Sequence, residues 1–207
     1  MNADFTPSLA SQHPTPKAVV RGTLLTASPI VRTALLQDLQ GVADVLTNSF
    51  HPPHGLRALI HPFLRLGIQE DLRTRLCANG QHYLCLAALV SAVTAGGCTE
   101  RVVGTVEMSL SVPKNWLARD YQSTYLSNLA VSPEYRRCGI ARQLLRRCEQ
   151  ATREWGLNEI YLHVLENNKS ARTLYNRCDY HLRRVDVDCA SWLMRRPRRL
   201  LLGKRLT

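Results

Sequence analysis

The stretch from Thr124 to Leu165 constrains this chain more than any other. A β-rich run over residues 124–131 stops at Ser132-Pro133-Glu134, a turn carries Arg136 and Arg137, and Gly139 opens a long amphipathic segment. In that segment Ile140, Leu144, Cys148, Ala151 and Trp155 recur at helical spacing, and Arg142, Arg146, Arg147, Glu149, Arg153 and Glu154 take the opposite, wet face. Gly156 suits the left-handed position just past a helix end, and Glu159 to Leu165 is β-rich again. Strands and helices that interleave in this way predict an α/β sheet.

The remaining patterns fit that class. Ile30 to Thr33 reads as a short strand, and Asp38 can cap a helix running through Val42, Val45 and Leu46 towards Phe50. His51-Pro52-Pro53-His54-Gly55 breaks it, and residues 57–76 resume helical spacing with Leu59, Phe63 and Leu66 as the apolar positions and Pro62 near a start or kink. Tyr83 to Val93 is a continuous apolar run, followed past Gly96-Gly97 by an alternating one, Arg101 to Val112, in which Val103, Thr105 and Glu107 face one way. The two predict a hairpin. Asn168 can cap a helix whose Ala171, Leu174, Tyr175 and Cys178 share one side, and a last strand region passes through Val185, Val187 and Trp192.

With 207 residues there is room for one domain of ordinary size or one and a small appendage, and 45% apolar with 21% charged residues excludes disorder over most of the length. Residues 1–28, rich in Pro, Ser, Thr and Ala with Asp4 as the only acid, are expected to form a flexible N-terminal extension, and residues 29–207 a single domain with a basic C-terminal segment. No apolar run reaches spanning length, which argues against membrane partners. Seven cysteines without a CxxC pair predict free thiols in a reducing compartment, the cytoplasm, or the plastid stroma should the acid-poor extension be a targeting segment. His51, His54 and His61 have no Cys or acidic partner at fitting spacing, so no metal site is expected.

The net charge of +11 raises the question of nucleic acid. Residues 195–205 hold six basic side chains and no acid, so setting them aside leaves +5 for the rest. That segment also contains Leu200-Leu201-Leu202, which predicts a closing strand or helix with a wet basic edge. Only 6% of residues are aromatic, which weakens base-stacking modes, and an anionic small ligand accounts for the remaining excess.

Such a ligand has an evident place. Amides at the first turn of the helix opened by Gly139 have no partner within it, and its dipole adds about half a positive charge there. Gly139 and the small Ala141 allow close approach, and Arg136, Arg137 and Arg142 attract anions from a distance.

Together, Arg136-x-x-Gly139-x-Ala141 after Val-Ser-Pro, and Asn168-x-x-Ala171-x-x-Leu174-Tyr175 one helix and one strand later, closely resemble the GNAT superfamily of acetyl-CoA-dependent N-acetyltransferases. The resemblance covers residues 30–193, is specific over 124–180, and is strongest to the plastid and cyanobacterial branch of protein acetyltransferases. It implies a mixed, mostly antiparallel central sheet splayed between strands 124–131 and 159–165, with helices on both faces. It further implies that the backbone of Leu129, Ala130 and Val131 pairs with the pantetheine arm. Arg136, Arg137, Cys138, Gly139, Ile140, Ala141 and Arg142 would hold the pyrophosphate, and Asn168 would contact the arm. Tyr175 would protonate the departing thiolate. Many relatives have Gly-Phe where this chain has Asp179-Tyr180, a change that the left-handed tolerance of aspartate can absorb.

Tyr125 and the tract Tyr161-Leu-His-Val164 resemble some protein N-terminal acetyltransferases, in which the matching Tyr and His handle the amine proton through water. His163 is thus a candidate base, with Glu107 as another. With no stronger base visible, the expected acceptors are protein N-terminal amines, with lysine second. The alternatives are a small-molecule amine acetyltransferase, which the low count of 16 acids disfavours, and a non-catalytic CoA- or nucleic-acid-binding module.

Overall fold

The computed structural model describes residues 19–20, 23–24, 29–50, 57–77, 82–94, 97–111, 122–186 and 197–206, the side chains of 19–20, 23–24, 57–59, 92–94 and 97–98 excepted. A two-stranded antiparallel pair, β1 (Val19–Val20) and β2 (Thr23–Leu24), precedes the main sheet. The main sheet has seven strands: β3 (Ile30–Thr33), β4 (Tyr83–Thr94), β5 (Gly97–Ser111), β6 (Ser123–Val131), β7 (Glu159–Leu165), β8 (His181–Asp186) and β9 (Arg199–Arg205). Their spatial order is β3-β4-β5-β6-β7-β9-β8, and the only parallel pairing among them is β6 with β7. The mixed, mostly antiparallel sheet expected from the sequence is present.

Helices cover both faces. On one lie α1 (Leu39–Phe50) and α2 (Arg57–Cys77), packed on Cys85, Ala87, Leu89 and Val102; on the other lie α3 (Ile140–Glu154) and α4 (Lys169–Asn176), packed on Leu86, Ala88, Val90, Val106 and Met108. The alternation along β4 thus feeds two cores, as expected of a strand covered on both sides. Leu144, wholly buried at the centre of the α3 face, anchors that layer; truncating it to Ala costs about 3 kcal/mol. At its end, α3 stops as expected: Gly156 has φ +75°, and Leu157 N–H closes on Thr152 C=O at 3.0 Å.

Three local expectations are corrected. Asp38 ends a 3-10 turn (Leu36–Asp38) ahead of α1 instead of starting the helix, and its carboxylate accepts from Leu35 N–H at 2.7 Å and from Arg32 at 2.6 Å. The demand of Arg32 for an anion fixes that position. Val103 does not share a face with Thr105 and Glu107: a bulge opposite Ala88 and Leu89 inserts one residue and sends Val103 into the α3 core. In α2, Phe63 and Leu66 are exposed (74% and 62%), because the helix docks through its C-terminal half, at Leu72 with Ile68 and Leu76.

The basic C-terminal segment is β9, hydrogen-bonded on both sides between β7 and β8 with Leu200 and Leu202 buried. Over residues 199–205 it is sheet, as its leucines predict, and Arg195 and Arg196 lie outside the described residues. Among the described residues no helix is long and apolar enough to cross a membrane. Val187, Trp192, His51, His54 and Cys189 lie outside the described residues.

Candidate active site

The sheet opens where β6 leaves β7. The two strands pair at Thr124–Ile160, Tyr125–Tyr161 and Leu126–Leu162, and no further, although β6 runs on to Val131 and β7 to Leu165. A bulge at Asn128 produces the parting. Its φ of +54° is left-handed, and the register of β5 against β6 shifts between Thr105 and Glu107. Glu107 holds that bulge: Asn128 Nδ2 donates to its Oε1 at 2.6 Å, and Tyr83 Oη and Arg75 Nη1 donate to its Oε2 at 2.8 and 2.9 Å. The carboxylate is 1% exposed and its charge is matched by Arg75. Saturated by three donors, Glu107 is poorly placed to act as a base. Leu129, Ala130 and Val131 lie on the reach of β6 that is unpaired with β7, with Ala130 buried and its neighbours half-buried.

At the end of β6 the chain makes a 3-10 turn (Pro133–Tyr135) and Arg136 Nε returns to Val131 C=O at 3.1 Å. Arg137 (φ +68°) and Gly139 (φ +80°) are both left-handed and bend the chain into the mouth of α3. A Cβ on Gly139 would meet nothing within 4 Å, so glycine is required there by its dihedral and not by crowding. The first helical bond is Gln143 N–H to Gly139 C=O at 3.1 Å, which leaves the amides of Ile140, Ala141 and Arg142 without an acceptor in the helix. Arg137 and Arg142 are exposed and have no partner among the described residues, and Cys138 Sγ lies 3.6 Å from Arg136 C=O. Free amides, a helix dipole and unpaired guanidinium groups suit a diphosphate. An extended arm attached to it would meet the open edge of β6. The chain's own residues therefore fit coenzyme A.

On the other side of the opening, Asn168 caps α4 by accepting from Ala171 N–H at 3.1 Å. The helix turns Tyr175 inward until it is 8% exposed, with its phenol pushed up to about 12 by burial, then by Tyr125 and Cys178. Tyr175 forms no hydrogen bond to a described residue; its ring lies 6.0 Å from that of Tyr180. Asp179 takes the left-handed conformation (φ +64°) that glycine would supply, and Tyr180 N–H closes the helix end on Tyr175 C=O at 3.0 Å.

Tyr125 and His163 project to the sheet face opposite the apolar Leu126, Ile160, Leu162 and Val164. Tyr125 Oη is 2.8 Å from His163 Nδ1. Burial raises the Tyr125 phenol above its ordinary range, opposed by the nearby Arg199 guanidinium. His163 Nε2 is in turn 2.8 Å from Asp186 Oδ2. Arg184, and then His163, hold Asp186 below the usual carboxylate range. The structure thus brings Tyr125 against His163, keeps Tyr175 near enough to Tyr125 to feel its charge, and sets Glu107 apart in the bulge. Sequence reasoning missed Asp186, Arg199 and Asn128; the first acid after Arg183-Arg184-Val185 was the only hint of Asp186.

The model of the acetyltransferase (GNAT) family matches residues 56–180. Among curated proteins the chain is similar to Arabidopsis thaliana GCN5-related N-acetyltransferase 10, chloroplastic, at 28% identity over 82% of this chain and 68% of that protein. It is also similar to Arabidopsis thaliana GCN5-related N-acetyltransferase 4, chloroplastic, at 26% over 79% of this chain and 64% of that protein. The match therefore spans about two thirds of either relative. Its fold is shared with the crystal structure of Arabidopsis thaliana NAA60 in complex with a bisubstrate analogue, at a TM-score of 0.63 and 18% identity over 87% of this chain and all of that one.

Proposed function

This chain belongs to the acetyltransferase (GNAT) family, an acetyl-CoA-dependent group of enzymes, and from that premise we propose that it acetylates protein amines, N-terminal α-amines first and lysine second. The observation that supports this most is the 2.8 Å contact between Tyr125 Oη and His163 Nδ1 at the point where the strands part.

Bound acetyl-CoA supplies the activated acetyl group for direct attack by the amine. The main chain at Cys138 to Arg142, with Arg136 and Arg137, would hold its diphosphate, and the open edge at Leu129 to Val131 its arm, with Asn168 beside it. Tyr175 keeps its proton because burial holds its phenol high, and the hydroxyl has no competing acceptor among the described residues; it would release that proton to the departing sulfur. Tyr125 Oη would take up the proton of the attacking amine, directly or through a water, as it passes its own to His163 Nδ1.

A magnitude selects the acceptor. At pH 7 about a sixth of an α-amine with pKa near 7.7 is already neutral, against less than about a thousandth of a lysine near 10.4. A neutral Tyr–His pair is a mild base and suits the former. The word "chloroplastic" in the names of both curated relatives favours the plastid stroma over the cytoplasm as the place of work.

The test is steady-state turnover on a panel of peptides with free N-termini, the same peptides with blocked N-termini and an internal lysine, and polyamines. Fastest turnover on free N-termini is expected. Turnover on polyamines that exceeds both peptide sets rejects the reading in favour of a small-molecule acceptor.

A further inference from the structure

The Tyr125–His163 pair continues into a third residue. His163 Nε2 lies 2.8 Å from Asp186 Oδ2, and the other oxygen of that carboxylate accepts from Arg184 Nε at 2.6 Å. An ionised carboxylate can only accept, so Nε2 must carry the imidazole proton, which leaves Nδ1 bare and facing the Tyr125 hydroxyl. The imidazole is 19% exposed and the carboxylate 32%, so the contact is partly shielded from water on the His side and open on the Asp side. The titratable and charged groups seen around the imidazole are Tyr125 on β6, Arg199 of β9 beside that phenol, and Asp186 with Arg184 on β8.

We propose that Asp186 is a positioning residue for acetyl transfer: it fixes the His163 tautomer that accepts from Tyr125 and stabilises the imidazolium formed when the amine proton arrives. The inference rests on the base role given to Tyr125 and His163. The proton balance is simple. The amine loses a proton to Tyr125 Oη, Tyr125 passes its own to Nδ1, and His163 becomes a cation with Nε2–H still on Asp186. The carboxylate does not itself take the proton, and the imidazolium later releases its Nδ1 proton to water.

Asp186→Asn keeps a hydrogen-bond acceptor of the same shape and removes the charge. Its expected effect is a loss in kcat of about tenfold to a hundredfold, with KM for peptide and acetyl-CoA within about twofold. The acidic limb of the kcat profile should also move to lower pH, because the imidazolium has lost its counter-charge. In a His163→Gln background the same change should have no further effect on kcat. A merely structural role would lower stability without moving the limb.

A second readout needs no variant: 15N resonances of the neutral form of His163 in the intact protein should show a protonated Nε2 and an unprotonated Nδ1. The opposite tautomer, or an unmoved acidic limb in Asp186→Asn, overturns the inference. His163→Gln at full kcat overturns the base reading itself, which separates the two failures.

Discussion

Asn128 and Glu107 meet at 2.6 Å across two strands, at the bulge where β6 turns away from β7. Because Arg75 and Tyr83 complete the shell of that carboxylate, a contact from α2 and one from β4 converge on the residue that opens the sheet.

Glu107→Gln should therefore act on the opening. A glutamine brings two N–H donors to a site already full of donors, and the loss is on the order of 2 kcal/mol. A fall in Tm of about 4–8 °C is expected by thermal denaturation, with KM for acetyl-CoA raised more than kcat is lowered. A loss in kcat above about a hundredfold at unchanged Tm would instead make Glu107 the base.

Tyr175→Phe should lower kcat by about a hundredfold with little change in cofactor affinity measured by calorimetry. The phenol donates only while protonated, and its burial moves deprotonation up to about 12, so the acid form persists as pH rises well past neutrality. Unchanged kcat in Tyr175→Phe would contradict the acid role, and an alkaline fall below about pH 10 that disappeared in Tyr175→Phe would keep the role but contradict the upward push from burial.

Gly139→Ala adds a methyl group into open space, so only the left-handed dihedral opposes it. That strain is about 1–2 kcal/mol, and if the chain relieves it by closing the curl, coenzyme A should bind about fivefold to thirtyfold more weakly. Unchanged calorimetric affinity would remove this loop from the cofactor cradle.

Gly203→Ala tests the reading of the basic segment as sheet. A Cβ there would lie 2.6 Å from Tyr161 Cε1 and 3.0 Å from Arg183 Cγ, so a loss of about 1–3 kcal/mol in unfolding free energy is expected. Arg205→Gln, at the exposed end of the same strand, should stay within about 0.5 kcal/mol and leave weak non-specific DNA binding almost unchanged. A steep loss of DNA affinity there would revive the nucleic-acid reading.

Local order was legible in the sequence wherever one periodicity ran undisturbed. The stripe Ile140–Leu144–Cys148–Ala151 marks α3 and its buried face, and the spacing from Arg136 to Ala141 marks the left-handed bend that leads into it, because both are fixed by neighbours within a few residues. Phe63 and Leu66 misled, since helical spacing says which residues share a face but not whether anything packs on it. Bulges misled in the same way: one inserted residue inverts the facing of everything beyond it, as at Val103. Asp186 was out of reach, for it meets His163 only because β9 comes between their strands, and 23 positions of separation carry no periodic signal.

That insertion sets a temporal order on assembly. A ribosome delivers β7 and β8 first, yet their backbones do not pair with each other; residues 199–205 must come between them. Newly made chains halted before that point would carry the cofactor loop and α3 while Asp186 had no scaffold to bring it to His163. On the role proposed for Asp186, full competence follows only once residues 199–205 are in place, and a tag or truncation that disturbs them should lower turnover before it lowers helical content.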